Sequence, residues 1–313
     1  MEHEPILSLV IPVYNVQDYL AEALDSVVNQ AISDELEVLI INDGASDNSL
    51  EIAEYYAQRN EYVKVISIEN SGLGAARNVG AMHARGRYVQ FMDSDDILAA
   101  GILTNVVDEI RNNGDADVFV FDYAEFTDNV MNNASRYQFD LNRFQYGNVA
   151  WNKVYRLDFW RDNKFQYPEG IKYEDTPLTH IIMALSNRSV KIPAIGYYYR
   201  RSRQGSITAE TSIAYDFHNR LYALEILRGN IIKYHRNIQE KGMLNKIKIK
   251  YLKEILLLFW SNKNHAGNLA KDDLVRLKRM VFSDSIDLKL VLDAGFLTVL
   301  LYLIEKILLW RVK

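Results

Sequence analysis

Four short runs rich in β-branched and aromatic residues, Ile6 to Val13, Leu36 to Ile41, Val63 to Ile68 and Arg87 to Met92, are separated by stretches of helical period. Tyr19 to Gln30 sets Leu20, Ala23, Leu24, Val27 and Val28 on one face, and Ser49 to Gln58 does the same with Leu50, Ala53 and Ala57 behind Asp47 as N-cap. Strands spaced by helices require crossover connections. This alternation predicts an α/β fold with a mostly parallel sheet flanked by helices on both faces. In such sheets ligands lie at the carboxyl ends of the strands, so the residues that follow each strand are the first candidates for chemistry.

Those residues are polar and specific. They are Val13-Tyr14-Asn15, then Asn42-Asp43-Gly44-Ala45-Ser46-Asp47, then Glu69 to Asn78, then Asp93-Ser94-Asp95-Asp96. One Asp-Gly after a strand is an ordinary turn; four polar strand ends on one rim point to a site. Asp93, Asp95 and Asp96 repel one another unless a cation is bound, and magnesium or manganese binds through one or two carboxylates plus substrate phosphates. The competing reading is that Asp95 or Asp96 caps a helix starting near Ile97. Gly72-Leu73-Gly74-Ala75-Ala76-Arg77 approaches the glycine-rich dinucleotide fingerprint, with Asp93 downstream as a ribose acid. However, its third small position holds Arg77 and it follows the third strand, which argues against a nicotinamide dehydrogenase. In that loop the glycines allow close approach to a nucleotide, and Arg77 offers a planar cationic donor to a base edge or phosphate.

With Ile11-Pro12-Val13-Tyr14-Asn15, Asn42-Asp43-Gly44, Gly74-Ala75-Ala76-Arg77-Asn78 and Asp93-Ser94-Asp95-Asp96 in this order, the chain resembles the family 2 glycosyltransferases of GT-A fold. The resemblance covers roughly residues 6 to 205 and implies a Rossmann-like GT-A sheet, a UDP-sugar donor and inversion at the anomeric carbon. By that resemblance Pro12, Tyr14 and Asp43 contact the base and ribose with Arg77 nearby, and Asn15, Ser94 and Lys153 belong to the same donor site. Asp93 faces the ribose or sugar, and Asp95 holds Mn2+ or Mg2+ through the diphosphate. Inversion needs a base for the incoming hydroxyl. Within Lys172-Tyr173-Glu174-Asp175-Thr176-Pro177 the family's candidate is Asp175, although both acids also suit the start of a helix running to about Leu185.

Tyr197 to Ile207 resembles the cationic segment that many members fold over the nucleotide. Arg201 and Arg203 are expected at the phosphates, and no histidine is present there to serve as a further metal ligand. Trp151, Asn152 and Glu174 are expected to line the sugar and acceptor pocket. Trp151 has two readings, a ring stacked on a pyranose or a core residue.

Net charge is −5, which argues against a nucleic-acid partner. Residues 1 to 216 hold 18 Lys and Arg against 32 Asp and Glu, while residues 217 to 313 hold 18 against 9, a swing from −14 to +9. This split accompanies an expected boundary between a catalytic domain, 1–212, and an all-helical appendage, 213–313. Residues 246 to 260 mix lysines with a dense apolar run, and 294 to 304 are uncharged but far shorter than the roughly 20 residues a spanning helix needs. Two uses of this region stay open. It packs on its own domain or in a homodimer, or it docks on an anionic membrane surface with Phe296, Leu300, Leu303, Ile307 and Trp310 along one stripe.

The amino terminus lacks the basic segment of a signal peptide, and cysteine is absent. Both fit a cytoplasmic protein, peripheral on the inner face of the membrane if its acceptor is lipid-linked. The expected reaction moves a hexose or N-acetylhexosamine from a UDP-sugar to a hydroxyl of a lipid- or protein-linked glycan. The rivals are a sugar nucleotidyltransferase, which would carry a glycine-rich, Arg/Lys-bearing loop after its first strand, and a module that binds without turnover.

Overall fold

The computed structural model describes residues 4–30, 32–127, 135–201, 212–240, 243–262 and 269–281. The chain forms two compact units, residues 1–170 with 186–203 and residues 171–185 with 204–313.

The first unit is built on one nine-stranded sheet with order β3-β2-β1-β4-β8-β6-β9-β5, β7 pairing with β6. The strands are β1 (Leu7–Val13), β2 (Leu36–Asp43), β3 (Val63–Ile68), β4 (Tyr88–Phe91), β5 (Ile97–Leu98), β6 (Val118–Phe126), β7 (Ser135–Tyr137), β8 (Lys153–Arg156) and β9 (Ser189–Arg200). The four runs read from the sequence are β1 to β4, paired in parallel with β1 at the centre. Beyond β4 the sheet turns mixed. β8 is antiparallel to both β4 and β6, while β6 and β9 run parallel.

Every residue of β1 and β2 is buried because helices cover both faces. On one face α1 (Gln17–Val28) lays Leu20, Ala23, Leu24 and Val27 onto the sheet, and α4 (Ile102–Asn112) does so with Ile102, Leu103, Val106, Val107 and Ile110. α2 (Ser49–Ala57) packs beside α1. Asp47 serves both starts, its carboxylate accepting from Ser49 N at 2.9 Å and from Gln17 N at 3.0 Å. Burial alone would raise its pKa, but these hydrogen bonds and the one from the Ser49 side chain win and hold it below the usual carboxylate value.

The other face carries α3 (Leu73–His83) and α5 (Leu157–Asp162). α3 begins at Gly72, whose φ of 88° suits glycine, and comes close to the sheet at Gly80, where a Cβ would lie 2.1 Å from Val10 Cγ1. The close helix-to-strand approach is thus made by Gly80, which leaves the Arg77 position for a large side chain. Around α5, Phe91, Tyr155, Trp160 and Tyr167 form an aromatic cluster with ring centroids 5.2–6.1 Å apart.

The second unit contains α6 (Thr176–Leu185), α7 (Ile213–Lys233), α8 (His235–Glu240), α9 (Leu244–Asn262) and α10 (Lys271–Val281). α7 packs on α6, α9 and α10. α6 groups with these helices although it precedes β9, because Pro177 to Leu185 are all buried and a helix buried on every side needs neighbours all round. Residues 171–185, with Glu174 and Asp175, therefore stand in this unit and not with the sheet. No described helix is long and apolar enough to cross a membrane. The apolar run 294–304 and the stripe from Phe296 to Trp310 lie outside the described residues.

Candidate active site

The four strand ends meet as the alternation implies, because parallel strands with helical crossovers place all their carboxyl ends on one rim. Pro12 is buried in β1, and the Tyr14 ring after it is 49% exposed. Asn15 takes φ 48°, a left-handed conformation that asparagine tolerates, and its side-chain oxygen accepts from Ser46 N at 2.8 Å. This joins the loop after β1 to the loop after β2. Asp43, at the end of β2, is buried and accepts from Ser71 N at 2.7 Å and Gly72 N at 2.9 Å. It therefore holds the glycine loop at the start of α3, with the helix N-terminus adding favourable charge.

Arg77 follows on α3, 2% exposed, and donates to Asp93 Oδ1 at 2.7 Å while its guanidinium lies 5.3 Å from the Tyr167 ring centroid. The expected donor to a nucleotide is instead a buried cation that fixes Asp93. Ser94 is buried, and Asp93 and Asp95 are partly exposed. Asp96 is fully buried. It accepts from Tyr197 Oη at 2.8 Å and from Arg200 N at 2.7 Å. Tyr197 Oη in turn accepts from Asp93 N at 3.0 Å, and Arg200 Nε donates to the Asp95 carbonyl at 2.9 Å. The Arg200 guanidinium also reaches Glu22 of α1 at 2.5 Å. Burial, then the charges of Asp95 and Asp93, push the Asp96 carboxyl well above its ordinary range. Burial, then Asp96 and Asp93, push the Tyr197 hydroxyl up likewise.

β9 thus braces the acidic loop. Tyr197 and Arg200 stand about a hundred residues from it in the chain, and the one hint in sequence was the doubled acid itself. Two adjacent carboxylates at a strand end do not share one role, and a buried one demands donors.

Three residues expected at the site lie in the interior. Trp151 is 4% exposed, stacked on Tyr197 at 4.2 Å with an 11° interplanar angle, so it is a core ring and not a platform for a pyranose. Lys153 is fully buried and donates to Gly147 O at 3.1 Å, Val149 O at 2.7 Å and Asn152 Oδ1 at 2.6 Å. An ammonium has three protons, and these bonds use them inside the protein, pinning the turn before β8 in place of a nucleotide contact. Asn152 is buried beside it, donating to Phe121 O at 3.1 Å and Tyr146 O at 3.3 Å, which removes it from a sugar pocket too.

Arg201 is half-exposed and donates to Glu125 Oε1 at 2.8 Å. Arg203 lies outside the described residues. In the second unit Glu174 is buried and Asp175 partly exposed, its backbone carbonyl accepting from Thr179 N at 2.8 Å.

Among the described residues no cluster of three or more His, Asp or Glu could hold a metal by itself. The donor set nonetheless fits a hard divalent ion of the substrate-shared kind. Asp93 and Asp95 are partly exposed carboxylates at the end of β4, next to the buried Asp96, and such an ion binds through one or two carboxylates with phosphate oxygens and water completing its shell.

The model of glycosyl transferase family 2 matches residues 8–189. The chain belongs to this family. Among curated relatives, the uncharacterized glycosyltransferase EpsJ of Bacillus subtilis is 30% identical over 222 residues, covering 65% of this chain and 63% of EpsJ. The poly(ribitol-phosphate) β-N-acetylglucosaminyltransferase TarS of Staphylococcus aureus is 27% identical over 250 residues, 76% of this chain and 44% of TarS. The matches thus span less than two thirds of either relative. A crystal structure of TarS residues 1–349 in complex with UDP-GlcNAc superimposes with a TM-score of 0.76 at 22% identity, covering 97% of this chain and 89% of that one. A mannosyltransferase of Pyrobaculum calidifontis, in complex with GDP-mannose and Mn2+, gives 0.53 at 12% identity, covering 97% and 87%. These likenesses establish the GT-A type of fold for the family member described here, a mixed α/β sheet with a helical C-terminal region.

Proposed function

We propose that this chain is an inverting glycosyltransferase that moves a hexose or N-acetylhexosamine from a UDP-sugar to a hydroxyl of a glycan acceptor. The observation that carries this reading is the braced loop Asp93 to Asp96 at the carboxyl end of β4. Arg77 and Tyr197 spend their hydrogen bonds on holding Asp93 and Asp96, which makes sense if the loop must present Asp95 in one position. The TarS relative, whose structure holds UDP-GlcNAc, supports the donor class.

In this reading the exposed Tyr14 ring supplies a stacking face for the base, with Pro12, Asn15 and Asp43 shaping the nucleoside end. Asp95, aided by Asp93, would hold a divalent cation whose chemistry is neutralisation of the charge that develops on the diphosphate leaving group. Asp175 accepts the proton of the acceptor hydroxyl. As that oxygen bonds to the anomeric carbon, the bond to the diphosphate breaks on the opposite face, so the configuration inverts. Arg201 and Arg203 remain assigned to the phosphates by family position. The positive excess beyond residue 216 supports work near an anionic membrane surface, where a lipid-linked acceptor would be met.

Calorimetry of the full chain with UDP and with GDP, each with and without Mn2+, tests this. UDP is expected to bind about 10-fold tighter with Mn2+, a difference of about 1.4 kcal/mol. Asp95→Ala is expected to lose that increment and keep the metal-free affinity. Equal affinities with and without Mn2+ in both proteins would remove the loop from diphosphate binding.

A further inference from the structure

A base transfers a proton only if its loop is held, and the loop carrying Glu174 and Asp175 has an unusual hold. Tyr173, just before them, has φ 63°, a left-handed conformation that a bulky residue keeps only when its surroundings over-determine it. Those surroundings lie on α7. Tyr173 Oη donates to Asp216 Oδ1, Arg220 donates to Tyr173 Oη at 3.0 Å, and Arg220 Nε donates to Asp216 Oδ2 at 2.8 Å. The three side chains close a triangle of hydrogen bonds. Arg220 also places its guanidinium 4.1 Å from the Tyr173 ring centroid, so one residue grips both the tip and the face of the ring. One position earlier, the Lys172 ammonium lies 5.0 Å from the Tyr215 ring on the same helix.

Downstream the loop is fixed as well. Thr176 N donates to Tyr173 O at 3.3 Å, Leu178 N and Thr179 N donate to Asp175 O, and Asn230 of α7 donates to Pro177 O at 3.1 Å. Asp175 therefore sits between the start of α6 and a strained residue tied to α7. Burial first, then the bond to Asp216, push the Tyr173 hydroxyl up to about 12, so it stays protonated and donating across any ordinary assay range.

We infer that Tyr173, Asp216 and Arg220 form a latch that positions the Glu174–Asp175 loop for proton transfer. They are positioning residues that act through Asp175, and the inference rests on the reading of Asp175 as the base. Tyr173→Phe is the sharpest probe, because it removes two hydrogen bonds and leaves the ring against Arg220 and the Arg220–Asp216 pair in place.

The full chain is assayed with Mn2+ for UDP release from UDP-N-acetylglucosamine, for UDP affinity by calorimetry, and for amide hydrogen exchange across residues 171–178. Tyr173→Phe is expected to lower kcat by roughly 10- to 100-fold, the usual cost of misplacing a reacting group. KM and UDP affinity should stay within about 2-fold, and the loop amides should exchange about 10-fold faster as the latch opens. Tyr173→Phe combined with Asp216→Asn should be no worse than the more severe single change, since coupled residues act as a unit.

Unchanged exchange in Tyr173→Phe overturns the latch whatever the activity. Faster exchange with unaltered kcat overturns its role in positioning, and so does a kcat loss matched by loss of UDP affinity. Asp175→Asn is the separate control. If it retains turnover, the base reading fails, and the exchange measurement still judges the latch.

Discussion

Tyr197→Phe removes one oxygen from the centre of the acidic loop. The hydroxyl is fully buried, donates to Asp96 Oδ2 at 2.8 Å and accepts from Asp93 N at 3.0 Å. The phenylalanine ring fits the same space and keeps the stack on Trp151, so the change is confined to these two bonds. A typical hydrogen bond contributes about 0.5–1.5 kcal/mol, and a polar group left without its partner away from water costs about 1–3 kcal/mol. Together they place the expected loss at roughly 2–4 kcal/mol.

For a unit of this size that loss lowers Tm by roughly 5–12 °C, with thermal unfolding of the sheet-bearing unit followed by near-ultraviolet dichroism of the buried Trp151. Tyr198→Phe is the control. That side chain sits on the next residue of β9, partly exposed, and its hydroxyl makes no hydrogen bond among the described residues, so it should change stability by less than about 0.5 kcal/mol. Equal Tm values for the two variants would refute the claim that β9 braces the loop through this hydroxyl.

Two further predictions concern the helices that frame the site. Asp47→Ala should cost about 1 kcal/mol at neutral pH, the usual worth of a helix-start acceptor. The folded carboxyl is depressed, so its contribution is present above the unfolded value near 4 and is lost as pH falls through the folded value. Urea midpoints of variant and parent should therefore converge as the pH falls below the unfolded value, and a gap that stays constant into strong acid would contradict this account. Gly80→Ala should destabilise by roughly 1–2 kcal/mol, because a Cβ 2.1 Å from Val10 Cγ1 overpacks α3 against β1 by more than the helix gains from alanine. Adding Val10→Ala should restore part of the loss in the same denaturation assay, and no restoration would locate the clash elsewhere.

What the sequence disclosed was what local pattern encodes. β1 to β4 and their helices follow from alternating apolar runs, because a parallel strand buried on both faces and an amphipathic helix each write their period into a dozen residues. The mixed half of the sheet, from β6 to β9, depends on pairings between segments far apart, and no period encodes which strand lies beside which. The same limit divides the site. That Asp43 closes β2 and that Asp93 and Asp95 follow β4 is what the strand pattern placed. The surroundings of Lys153 and the choice between the two readings of Trp151 were not legible, because their partners are two carbonyls and the Asn152 amide oxygen for one and a ring in β9 for the other, none visible from residue type. A buried lysine and a lysine at a phosphate read identically until the acceptors around them are known.

The three acids of the loop show how position, and not residue type, assigns roles. Asp93 is paired with a buried guanidinium at 2.7 Å. Asp96 is buried beside two other carboxylates, and its hydrogen bonds from Tyr197 and Arg200 offset only part of the cost of charging it. That arrangement is costly for a loop whose sole task is to turn the chain, since a serine or asparagine at position 96 would satisfy the same donors without the repulsion. It becomes intelligible when negative potential at the strand end is itself useful. A concentration of carboxylates on a rigid frame sets up such a potential, and the cation proposed for Asp95 would draw on it.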